Sequence, residues 1–132
     1  MRKQAKRWLR QGEADLKAEK DSMNACNYEW SCFQSQQSAE KCLKAYLYDL
    51  GYTSLVTHSI KILIKKCEQK NRAFSILIKE AKILDTFYIP TRYPSGLDED
   101  IAPVDYYDKE DAENCLKCAT LILKTVKKYI KN

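Results

Sequence analysis

The sequence predicts an all-α fold, an up-and-down bundle of four to five helices forming a single domain over residues 1–132. Three observations carry this expectation. Apolar residues recur at three- and four-residue spacing through most of the chain, the mark of helices with one buried face. Only three Gly and three Pro are present, too few turn-formers for a many-stranded β fold. The 132 residues, 45% hydrophobic and 31% charged, have the size and balance of one ordinary globular core.

The first helix is expected over about Gln4–Ser22, where Leu9, Gly12, Leu16 and Met23 form a stripe flanked by Trp8 and Asp15. The second fits Tyr28–Leu50. There Phe33, Gln36, Glu40, Leu43, Leu47 and Leu50 step along one face, and Gly51 is a natural stop. Thr57 or Ser59 can cap a short third helix containing Ile60, Leu63 and Ile64. A fourth covers about Ala73–Phe87 through Leu77, Ala81 and Leu84. The last has Asp108 as its cap, with acidic residues in its first turns and lysines toward its end, matching the helix dipole. Its stripe is Ala112, Cys115, Leu116, Ala119, Ile122, Leu123 and Val126. Between the fourth and last helices, Tyr88–Tyr107 is a long connection holding all three prolines and four tyrosines. Loops of that length in compact domains are functional or disordered, and this composition argues for an ordered one.

Several function classes fall away. No apolar run follows the basic N-terminus, so neither a signal peptide nor a membrane span is expected, and the expected location is the cytoplasm. The six cysteines lie in or beside helical patterns, where reduced Cys serves as a small apolar residue. Cys115-x-x-Cys118 has no second pair and the lone His58 is distant, so no metal and no cofactor are implied. A net charge of +5 is too modest to decide a partner. No Gly-rich phosphate loop and no Ser-His-Asp or Cys-His arrangement can be assigned.

What stands out is polar residues on apolar faces. Glu40 sits in line between Phe33 and Leu47, and Asp15 flanks the first helix's stripe. A buried carboxylate is costly unless paired, and Arg92, the one cation between Lys82 and Lys109, is the expected partner for either. The bland alternatives are an exposed Glu40–Lys44 pair and an arginine that only tethers its loop. His58, at the start of a helix, is either a capping residue or an acid–base group.

The runs Ala14-Asp15-Leu16-Lys17-Ala18, after Trp8, and Phe33-Gln34-Ser35-Gln36-Gln37-Ser38-Ala39-Glu40-Lys41 resemble the first two helices of HEPN domains. Thr57-His58-Ser59-Ile60 resembles the start of that family's third helix. Tyr88-Ile89-Pro90-Thr91-Arg92-Tyr93-Pro94 resembles its loop signature, and Asp111-Ala112-Glu113 the start of its last helix. The resemblance implies a helical bundle that forms a homodimer, often beside a small nucleotidyltransferase in a toxin–antitoxin pair. Many members are metal-independent ribonucleases carrying Arg, four to six residues, then His; others bind nucleotides or act as non-catalytic partners. Counting from Arg92, that histidine is due at position 97, 98 or 99, where this chain has Leu97, Asp98 and Glu99. With Asp100, Asp105 and Asp108 the acidic loop should also repel RNA phosphates. The expected function is therefore a dimeric nucleotide-binding or partner module, with Arg92 on a phosphate, Tyr93 or Tyr106 stacking, and Glu40 and Asp15 orienting Arg92. The alternative is a ribonuclease with a non-standard site built from Arg92, His58 and a tyrosine.

Overall fold

The computed structural model describes residues 1–97 and 100–131, and among them six α-helices, two 3₁₀ turns and no strand. Helices α1 (Lys3–Asn24) and α2 (Tyr28–Asp49) form an antiparallel hairpin, in which Asp15 meets Lys41, Glu19 meets Ser31 and Ser22 meets Gln34. Small residues let the two backbones approach closely. A Cβ added at Gly12 would lie 2.5 Å from Cys42 Sγ, and the Gly12 carbonyl accepts from Ser38 Oγ at 2.7 Å. Most of α2 from Ser31 to Tyr48 is buried, because α1 covers one side and α6 (Lys109–Tyr129) another. The stripe read from its sequence is displaced at both ends: Phe33 is only half-buried and Leu50, beyond the helix, is exposed. Gly51 does end α2, with φ of +101°.

Residues 52–59 carry no regular structure and bring the chain back along α2. Helix α3 (Ile60–Lys70) therefore begins beside the middle of α2, not at its end. Ser59 caps it, accepting from the Ile62 amide. The expected fourth helix is divided. Arg72–Leu77 is a 3₁₀ turn, and only Ile78–Asp85 (α4) is α-helical. Asn71, in extended conformation, caps the turn through the Ala73 amide. The tighter 3₁₀ pitch eclipses positions i and i+3, which drops both Phe74 and Leu77 into the core.

The long connection is also more structured than a loop. It holds a 3₁₀ turn at Pro94–Gly96 and one helical turn, α5 (Pro103–Tyr106), each opened by a proline whose missing N–H costs nothing at a helix start. Asp98 and Glu99 lie outside the described residues. Helix α6 is capped as expected: Asp108 accepts from the Asp111 amide at 3.0 Å and the Asp111 carboxylate takes the Asp108 amide at 3.1 Å. Five of the six cysteines pack inside, and burial pushes the Cys42 thiol up to about 12. Cys26 departs from the expected role: it is exposed in the α1–α2 turn, with φ of +63°. No helix among the described residues is long and apolar enough to cross a membrane.

Candidate functional site

Three elements meet where the loop after α4 crosses α2 and the start of α3. Asp85, the last residue of α4, anchors that start. Its carboxylate accepts from the Ile60 amide at 2.6 Å, the Lys61 amide at 3.1 Å and Ser59 Oγ at 3.0 Å. From the α2 side, Gln36 Nε2 donates to the His58 carbonyl oxygen at 3.0 Å. The backbone of His58 is thus fixed by two other helices, while its side chain remains 55% exposed. Its Nδ1 lies 3.2 and 3.3 Å from the two oxygens of Glu40, and Nε2 is the ring nitrogen turned away from that carboxylate.

Glu40 is buried, and so is Lys44 one turn on, whose Nζ reaches Glu40 Oε2 at 3.1 Å. The expected i,i+4 pair exists, but inside the protein, not on its surface. Removing either partner would strand a buried charge. The far side of Lys44 rests on the Trp8 ring, 5.4 Å from its centre. A continuous polar line therefore crosses α2, from Trp8 through Lys44 and Glu40 to His58.

Arg92 is placed by the loop. Thr91, almost wholly buried, donates from Oγ1 to the Phe87 carbonyl, and the amides of Arg92 and Tyr93 both reach the Ile89 carbonyl. The guanidinium carbon then lies 4.6, 4.8 and 5.0 Å from the ring centres of Phe33, Tyr88 and Tyr93. Nε donates to the Tyr88 carbonyl at 3.3 Å. Tyr88 joins the two halves of the site, since its ring is also stacked on His58, with centres 5.0 Å apart and 16° between planes. His58, Ser59, Asp85 and Tyr88 line a cleft of about 260 Å³.

The expected pairing of Arg92 with Glu40 or Asp15 is not what the fold makes. Phe33 and Glu40 are seven residues apart on α2, about 10 Å along the axis, and the loop lands at the Phe33 end. Glu40 is taken by Lys44 and His58. Asp15 is taken by Lys41, at 2.5 Å, and by Gln11, at 2.8 Å, between α1 and α2. Tyr106 does not join Arg92 either. Its ring packs edge-on against Tyr107, and both line a neighbouring cleft with Phe87 and Pro90. Sequence reasoning missed Phe33, Tyr88 and Asp85 as parts of the site. An arginine among tyrosines was the signal for the first two, because a guanidinium is held by ring faces as readily as by carboxylates.

Residues 5–129 match the HEPN domain. The chain belongs to the HEPN family. It is 30% identical over 136 residues to a Methanocaldococcus jannaschii protein named "Putative toxin MJ1304", covering 98% of this chain and 90% of that one. Among solved structures, TT1696 from Thermus thermophilus superposes with a TM-score of 0.88 at 33% identity, over 96% of this chain and 98% of that one. The archaeal HEPN homologue ST0689 gives 0.81 at 36% identity, over 98% and 100%. Within this HEPN domain His58, before the start of α3, and Arg92, on the loop, each pack against the Tyr88 ring.

Proposed function

We propose that this HEPN protein is a cytoplasmic homodimer that holds a phosphate of a nucleotide or of RNA at Arg92, and that it is paired with a small nucleotidyltransferase in a toxin–antitoxin-type system. The observation that carries this reading is the state of Arg92. It is fixed by three rings and a carbonyl, and no carboxylate pairs with it among the described residues. A guanidinium held so by ring faces suits a phosphate oxygen. Tyr93, half exposed, can stack on a base. Trp30, Ile89 and Tyr93 leave apolar area uncovered around Arg92, the kind of surface a second copy would bury. The toxin name of the Methanocaldococcus jannaschii relative agrees with the system proposed.

A second reading, metal-independent RNA cleavage, is favoured by one contact, Glu40 against His58 Nδ1. A carboxylate there orients the ring so that Nε2 can take the proton of a ribose 2′-hydroxyl. Arg92 would offset charge on the attacked phosphate, and a tyrosine would protonate the departing 5′ oxygen, leaving a cyclic phosphate.

Calorimetry with nucleotides and short RNA tests both. Arg92→Ala should weaken binding at least tenfold; absence of binding in the parent protein, together with no capture of the neighbouring gene product, would overturn the first reading. For the second, cleavage in EDTA should vanish in His58→Ala while binding persists. Cleavage surviving both substitutions belongs to a contaminant.

A further inference from the structure

A second concave site lies on the opposite flank of α2, lined by Arg7, Trp8, Arg10, Gln11 and Ala14 of α1 and by Lys41 of α2, with a volume of about 450 Å³. That is within the range of small-molecule sites. Arg7 and Arg10 are three residues apart, hence on one face, and no carboxylate pairs with either among the described residues. Ala14, one turn beyond Arg10, leaves the floor open. Lys41 and Gln11 are both held by Asp15, so their side chains are positioned before any ligand arrives. Three cations against one carboxylate leave the rim positive and self-repelling, a state an anion relieves. The wall is an indole: Trp8 is half-buried, braced by Tyr48 at 5.5 Å between ring centres and by buried Lys44.

The surroundings add to the field. The lysine-bearing end of α6, with Lys124, Lys127, Lys128 and Lys131, packs along α1. Lys127 lies 3.8 Å from Glu13. Acidic residues gather instead at the start of α6. An incoming polyanion is steered to the Trp8 end.

We propose that this pocket binds a nucleotide unit, its base against Trp8 and its phosphate on Arg7, Arg10 and Lys41, either as a free nucleotide or within a single strand. Exposed arginines and a held lysine beside an aromatic face are the pairing that phosphate and base together require, since guanidinium forks match phosphate oxygens and every base has a π face. The pocket is independent of Arg92, and either site can fail without the other.

The test uses fluorescence anisotropy of a fluorescein-labelled 12-residue oligouridylate and, in a Trp30→Phe background, quenching of Trp8 emission by AMP. The double variant Arg7→Gln/Arg10→Gln, whose side chains are exposed, should weaken binding at least tenfold and reduce the slope of log K against log salt by about 1.4. Trp8→Leu should weaken it about tenfold, and Arg92→Ala should leave quenching of Trp8 unchanged. Response to AMP with these losses identifies a free nucleotide, and response to the oligonucleotide alone a strand. The proposal is overturned if neither probe binds, if the folded double variant, checked by circular dichroism, binds as the parent does, or if Trp8→Leu has no effect, which would mean charge attraction alone.

Discussion

Glu19 carries a carboxylate into the seam between α1 and α2, where it is fully buried with Ser31 Oγ donating to one oxygen at 2.5 Å and no partner for the other among the described residues. Burial pushes its pKa above the ordinary 4.5, and the serine bond offsets this only in part. A raised carboxyl pKa means that the fold prefers the protonated form. The associated stability is complete below pH 4.5 and is lost as pH rises through the folded-state value. Glu19→Gln is therefore expected to stabilise the protein at pH 7 by about 1 kcal/mol, roughly 3 °C in Tm, with the gain disappearing below about pH 4.5. Thermal melts of both proteins at pH 7 and pH 4 decide it; an equal gain at both would show that ionisation is not the cause.

At the scale of elements, the α1–α2 hairpin depends on Gly12. Helices carrying large side chains at a crossing stand about 8–10 Å apart. Here a missing side chain lets Cys42 and the Ser38 carbonyl press against the α1 backbone. Gly12→Val should force the pair apart and cost about 2 kcal/mol, read as a lower urea midpoint, although valine would otherwise fit a helix better than glycine. The same seam positions Lys41 and Lys44, so the variant should also perturb both candidate sites. Asp85 shows a related dependence between α3 and α4. It accepts from two orphan N–H groups and from the Ser59 hydroxyl at the start of a helix that begins twenty-five residues earlier in sequence, which is how the end of one helix helps to fix the start of another beside His58.

Across the whole molecule, the cysteines report how uniformly the core is closed. Cys32, Cys42, Cys67, Cys115 and Cys118 are buried, while Cys26 is exposed. Burial pushes the thiols of Cys42, Cys67 and Cys118 upward, and a hydrogen bond with Cys32 together with burial does so for Cys115, and reactivity belongs to the thiolate. Brief treatment with Ellman's reagent should label one thiol per native chain, identified as Cys26 by mass spectrometry. The other five should react only with the rate of global opening. Early labelling of Cys115 or Cys118 would instead show that α6 opens on its own.

The sequence alone determined α1, α2 and α6, because their apolar spacing and caps are local: Leu9, Gly12 and Leu16 are buried, and Asp108 caps α6 as its position implied. It also singled out Glu40, His58 and Arg92, since a charge on an apolar face and an arginine among prolines and tyrosines are visible in one dimension. Partners were decided only in three dimensions. Lys44 reaches Glu40 from one turn along α2, but whether His58 also reaches it depends on where residues 52–59 return the chain. Which groups hold Arg92 depends on where the loop lands along a helix that rises about 1.5 Å per residue. Seven residues of α2 separate the aromatic answer from the carboxylate one, and no spacing within the loop encodes that distance.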